Sequence, residues 1–160
     1  MQRITPMLWF DGHAEEAANF YVSVFKKNSK VKQITHYAGE EFPEKKGQVM
    51  TVSFELNREE FTALNGGPDF KFTQAVSFVI NCDTQEEIDY YWDKLSAGGD
   101  PRAQQCAWLK DKFGVSWQVV PAELGDLLGA GDQAARERVM TAMLQMKKLD
   151  IAALRAAQKK

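Results

Sequence analysis

The chain has 160 residues, 44% hydrophobic and 26% charged, with a formal net charge of -2 and a pI near 5.7. That length buries one well-formed core, or two small modules sharing one. The balanced charge supplies no basic field for nucleic acid, and no apolar run reaches the roughly 18 residues of a membrane span.

The opening "MQRITPMLWFDG" is not a secretion signal, because Pro6 and Asp11 break its apolar run. A reducing cytoplasm is therefore expected, with Cys82 and Cys106 as free thiols. "ITPMLWF" is strand-like, and Asp11 can cap the helix that follows. Ala14, Ala17, Ala18, Tyr21, Val24 and Phe25 recur at helical spacing. The basic run from Lys26 to Lys30 suits a helix end. Strand patterns follow in "VKQITHY", "QVMTVSFEL" and "EFTALN", and "NGGPD" breaks the chain at 65–69.

A second segment then restarts. "AVSFVIN" reads as a strand with Val76, Phe78 and Ile80 on one face and Ala75, Ser77 and Val79 on the other. Asp83 and Glu86 have capping-box spacing. Ile88, Tyr91, Trp92 and Leu95 make a helical stripe that Gly98 and Gly99 end. "QQCAWLK" and "VSWQVV" read as strands joined by the turn "DKFG". In the last strand Trp117 and Val119 take one face, Ser116, Gln118 and Val120 the other. "DGHAEEAANFY" aligns with "CDTQEEIDYYW", so an order of strand, helix and three strands is expected twice. Each unit leaves a sheet face uncovered, so the two are expected to pair. Beyond Pro121 the chain reads as helices, one from about Asp132 to Lys147 and one capped by Asp150. The stripe of Val139, Met143 and Met146 suits packing on the domain itself or a contact with a second subunit.

Chemistry is sparse. There is no GxGxxG or GxxxxGK phosphate loop, and no CxxC or HExxH spacing. His13 and His36 are the only histidines, so a Ser-His-Asp or Cys-His pair has few ways to form. Cys106 has no base or cation beside it in sequence and reads as a small hydrophobe. The paired glutamates 15–16, 40–41, 59–60 and 86–87 are adjacent, so their side chains diverge.

"WFDGHAEEAANFY", "ALNGGPDFKF", "SFVINCDTQEEIDYYWDKLSAGG", "CAWLKDKFGVSWQVVP" and "VMTAMLQMKKLDIAALRAA" together resemble the PhnB-like family, which often carries the label 3-demethylubiquinone-9 3-methyltransferase. That family lies in the vicinal oxygen chelate superfamily, with glyoxalase I, bleomycin-resistance proteins and extradiol dioxygenases. The resemblance implies an α+β fold of paired βαβββ modules curled round a cavity, with a C-terminal helical extension. It places the modules at 1–68 and 72–121 and the helices at 122–160, within a single domain 1–160. It also implies a homodimer.

In metal-using members four strands each supply one His, Glu or Gln to a divalent ion. The positions carried over fall near Pro6, Ala63, Ala75 and Gln118. A two-residue slip offers Ile4 or Leu8, Phe61 or Asn65, Ser77, and Ser116 or Val120. None is a carboxylate or imidazole, and a divalent ion needs three or more converging donors. The expectation is no metal and no cofactor. Without the ion, the superfamily's Lewis-acid chemistry has no electrophile. The methyltransferase label is disfavoured, since a doubly wound methyltransferase needs a Gly-rich turn and a long α/β alternation. Three readings stand: a metal-free small-molecule binder, a metal enzyme of glyoxalase or dioxygenase type, and a structural dimer with a vestigial cavity. For the first, Gln118, Ser77, Asn65, Trp108 and Cys106 are the expected cavity contacts. No nucleic-acid or membrane partner is expected.

Overall fold

The computed structural model describes residues 4–159, and the chain divides between Phe72 and Thr73 into two compact units.

The first unit runs β1 (Met7–Phe10), α1 (Ala14–Phe25), β2 (Lys30–His36), β3 (Val49–Leu56) and β4 (Glu59–Asn65). Its sheet has the order β1-β4-β3-β2, with β1 parallel to β4 and the other pairs antiparallel. The six apolar residues of the α1 stripe are the buried ones. Small alanines let α1 lie close to β3 and β4, and the Tyr21 ring stacks on Phe54. Register puts Val52 beside Ala63 and Phe54 beside Phe61, so these residues share the α1 face. Asp11 does not cap α1. The first helical N–H, from Ala14, is accepted instead by Asn65 Oδ1 at 2.9 Å.

The second unit runs β5 (Phe78–Cys82), α2 (Gln85–Ser96), β6 (Trp108–Lys110), β7 (Ser116–Pro121), α3 (Leu124–Gly129), α4 (Gln133–Leu144) and α5 (Ile151–Lys159). Its sheet has three strands in the order β5-β7-β6. Only two strands follow α2, one fewer than the repeat predicts. A 3-10 turn at Pro101–Ala103 and a single bridge between Gln105 and Trp108 occupy that stretch. Pro101 has no N–H for a ladder, and Asp100 Oδ1 accepts from Arg102 N at 3.0 Å, which holds the turn.

The cap of α2 is Thr84, one residue after the expected Asp83. Thr84 Oγ1 accepts from Glu87 N, and Glu87 Oε2 reaches back to Asp83 N at 2.7 Å. The pattern resembles a capping box shifted by one residue, with Glu87 serving the N–H before the cap residue rather than the cap's own. Ile88, Trp92 and Leu95 are buried from α2, and Trp117, Val119 and Ile80 are buried in the sheet on which it packs.

The C-terminal helices pack within their own unit. Val139, Leu149, Leu154 and Leu127 form one cluster with Val120 of β7 and Ala107, flanked by Met143 and Met146. Asp132 and Asp150 cap α4 and α5, each accepting an N–H at 2.8 Å. Helix α3 was not predicted from the sequence. Helix α4 stops at Leu144 rather than Lys147, and the Met146 and Lys147 carbonyls beyond it accept from Cys106 and Ala107 at 2.8 and 2.9 Å.

Candidate functional site

The alternation of β7 sorts its chemistry. Trp117 pairs in register with Phe78 and Leu109, and Val119 with Ile80, on the α2 face. Ser116, Gln118 and Val120 take the other face, beside Lys110, Trp108 and Asn81. Gln118 Nε2 donates to Ser77 Oγ at 2.9 Å. The amide in the middle of the strand is thus half-buried, with its nitrogen paired.

A hollow of about 310 Å³ opens near β6, lined by Cys106, Trp108, Lys110, Ser116, Gln74 and Gln105 among others. Its walls are mostly apolar. Two of the five expected contacts, Trp108 and Cys106, line it. Gln118 lies on the Trp108 face of the sheet and pairs with Ser77, which stands just before β5 rather than on the expected strand. Asn65 belongs to the first unit and takes its α1 face, because its Oδ1 caps α1 and its Nδ2 donates to Val49 O at 3.0 Å.

Cys106 is not on a strand, contrary to the sequence reading. Cys106 and Ala107 have φ of 52° and 74°. They form the two central residues of a tight hairpin in which Gln105 and Trp108 exchange both backbone hydrogen bonds, at 3.1 and 2.9 Å. Two successive positive φ values are what a type I′ turn requires, and Asn-Gly usually supplies them. Here Cys-Ala is held there from outside. The Cys106 and Ala107 N–H groups donate to Met146 and Lys147, the Ala107 carbonyl accepts from Val119 N, and Gln105 Nε2 donates to Leu144 O at 2.7 Å. Burial pushes the Cys106 thiol pKa above its ordinary value.

Ser116 is 2% exposed, and its Oγ is buried with no hydrogen-bond partner among the described residues. The sequence offered it only as a neighbour of Gln118 on the same face. Among the described residues Asp111 is the other buried polar one; in the sequence it reads only as part of the turn "DKFG". Its Oδ1 accepts from Phe113 N and Val115 N at 2.9 and 3.0 Å, and its Oδ2 accepts from Trp117 Nε1 at 2.9 Å. Asp111 therefore shapes the β6–β7 turn and anchors the Trp117 indole.

The residues present do not fit a divalent ion. Pro6 and Ala75 offer no side-chain donor. Ala63 is fully buried on the α1 face, and Leu8, which pairs with it, shares that face. The carried-over register thus selects the helix side of the first sheet. One residue over, on the opposite face, stand Met7, Trp9, Thr62 and Leu64. Glu60 shares that face but is ion-paired with Lys32. Among the described residues no three His, Cys, Asp or Glu side chains cluster. His13 is exposed and bonded to Glu16 at 3.3 Å.

The two sheets with their packed helices have the fold of the vicinal oxygen chelate superfamily. Residues 2–120 match the family described as 3-demethylubiquinone-9 3-methyltransferase, and the chain belongs to that family. The match ends just before α3. A solved Bacillus cereus structure, described as a putative 3-demethylubiquinone-9 3-methyltransferase, PhnB protein, is 40% identical; it covers 76% of this chain and 100% of its own, with a TM-score of 0.64. A Pseudomonas aeruginosa protein is 21% identical over 74% of this chain and 96% of its own, with a TM-score of 0.59. The fosfomycin resistance protein FosX of Listeria monocytogenes is 12% identical over 81% of this chain and 98% of its own, with a TM-score of 0.55, a likeness of fold alone. No curated protein matches the chain.

Proposed function

We propose that this protein is a metal-free small-molecule binding protein, a homodimer that holds an apolar ligand in the hollow beside Trp108 and Cys106. The hollow carries this reading. Its volume of about 310 Å³ lies at the lower end of ligand-pocket sizes, and a mostly apolar lining with few polar groups is the usual character of such sites. The strained Cys106–Ala107 turn supports it further, since backbone strain held in place by surrounding contacts gathers at binding sites. The dimer is inferred from the family resemblance.

The metal-dependent alternative lacks a converging donor set in the aligned positions. The methyltransferase activity in the family's description finds no support in the topology, because neither sheet is doubly wound and no Gly-rich turn joins a strand to a helix.

The test is a melting-temperature screen against small aromatic compounds, repeated on Trp108→Ala. A ligand at a hundred times its Kd stabilises by about 2.7 kcal/mol, which is readily seen. Binding that raises the melting temperature of the native chain and is lost in the variant supports the reading. A screen with no responder points instead to a vestigial cavity. Light scattering on the eluting peak reads the dimer directly, and a monomer mass would remove that part.

A further inference from the structure

The lining of the hollow beside β6 carries a single charged side chain, Lys110, among neutral neighbours. Alternation along β6 puts Lys110 on the same face as Trp108. Lys110 is half-buried, and among the described residues its ammonium has no hydrogen bond or ion pair. The charges around it are already engaged. Arg102 donates to both carboxylate oxygens of Asp100, at 3.1 and 3.0 Å. Those bonds first, and Lys110 only weakly, hold the Asp100 carboxyl below its ordinary pKa. Asp111, the next residue along, takes the α2 face and is bonded to Trp117 Nε1. Lys112 lies over the Phe113 ring at 5.0 Å. Lys110 is thus the charge left over at the hollow.

We infer that Lys110 sets the charge of the ligand, and that the hollow takes a compact aromatic molecule bearing one carboxylate. This rests on the hollow being a ligand site. A lysine stem can lie along an apolar wall while its flexible head serves the rim. An anion held there, with water partly excluded by the apolar lining, feels the ammonium more strongly than it would in open solvent. One spare ammonium balances one negative charge, which suits a carboxylate better than a phosphate dianion. A void of about 150 Å³ holds a benzene ring, so the hollow of about 310 Å³ has room for a substituted ring. The ring packs against Trp108, and the carboxylate is left at the rim for Lys110.

The experiment uses p-toluate and p-toluamide, which have nearly the same shape and differ in charge. Each is titrated into the full-length protein, and the Trp108 indole resonance is followed by two-dimensional NMR. The native chain is expected to bind p-toluate at least about fivefold more tightly than p-toluamide, the upper end for an exposed ion pair and the lower end for a partly buried one. Raising sodium chloride from about 0.02 to about 0.5 M should weaken p-toluate and spare p-toluamide, because salt screens the pair. Lys110→Met keeps an apolar stem and should bind the two probes alike. Lys110→Arg keeps the charge and should keep the preference. Equal binding of the two probes by the native chain would overturn the role of Lys110 while leaving the hollow as a ligand site. A preference for p-toluate that survives in Lys110→Met would overturn it too, since another cation would then hold the carboxylate. If neither probe moves the Trp108 resonance up to its solubility limit, both the Lys110 inference and the ligand-site reading fall.

Discussion

Asp111 shows how much one side chain can organise. Its carboxylate receives two backbone N–H groups and an indole N–H inside the β6–β7 turn. Asp111→Ala leaves three donors unserved, each costing about 1–3 kcal/mol if it stays dry. The variant should lose at least about 3 kcal/mol in urea unfolding, and a loss below about 1 kcal/mol would show that water takes over the carboxylate's role. The two thiols differ for a related reason. Burial first, and then Glu87 and Asp83, push the Cys82 pKa from 9.0 to about 12. A thiol whose folded pKa is raised stabilises the fold fully below its unfolded value and loses that contribution as pH rises through the folded value. Stability should therefore fall between pH 9 and about 12, and Cys82→Ser or Cys82→Ala should flatten that limb. At pH 8 a thiol reagent should label Cys106, which is only partly buried, well before Cys82. Gln118 was visible in the sequence as an amide on a particular face. Its partner could not be read there, because Ser77 lies just before β5, 41 residues earlier.

At the scale of elements, the helices that were legible are those with a strong stripe and few distant obligations. All six apolar positions of the α1 stripe are buried. The elements misjudged are those whose ends are fixed by remote backbone. "QQCAWLK" has the composition of a strand, yet the bonds from Met146 and Lys147 impose a turn on its middle. The same bonds hold the segment just beyond α4. The capped start of α5 is tied down in a comparable way: Gln85 Nε2 donates to Leu149 O at 3.0 Å, and Gln85 Oε1 accepts from Ile151 N at 2.9 Å. One amide thus joins the first turn of α2 to the first turn of α5. Gln85→Ala should cost about 1–3 kcal/mol and speed hydrogen exchange at the Ile151 amide, while the β5 amides exchange as before. Uniform acceleration throughout the second unit would mean that Gln85 serves global stability rather than this junction.

For the whole molecule, the question is how far family and fold carry toward a site. The family and the α+β architecture were legible because motif blocks and periodicity agreed along the chain. The candidate site was only partly legible. In the first unit a shift of one residue exchanges the two faces of a strand: the carried-over Ala63 lies on the α1 face, and Thr62 and Leu64 take the other. Neither register supplies a set of metal donors, so the expected outcome is insensitivity to chelation. Protein purified without chelator should contain less than one-tenth of an equivalent of divalent metal, about a tenfold margin below one tightly held ion per chain. Added EDTA should leave the melting temperature unchanged. Stoichiometric metal, or a fall in melting temperature on chelation, would contradict the metal-free reading.

The clasp on the Cys106–Ala107 turn also bears on the order in which the molecule can be completed. The hairpin leaves the ribosome before the carbonyls that hold it, which lie 40 residues further along the chain at Met146 and Lys147. At 5–20 residues per second the delay is roughly 2–8 s. During that interval the family-defining part of the second unit, up to residue 120, is already synthesised. The wall of the hollow is not yet fixed, because its strained turn has no acceptors. A nascent chain can therefore have the sheet and α2 before the Cys106–Ala107 turn is clasped, and completion of that turn is tied to the arrival of the helical tail.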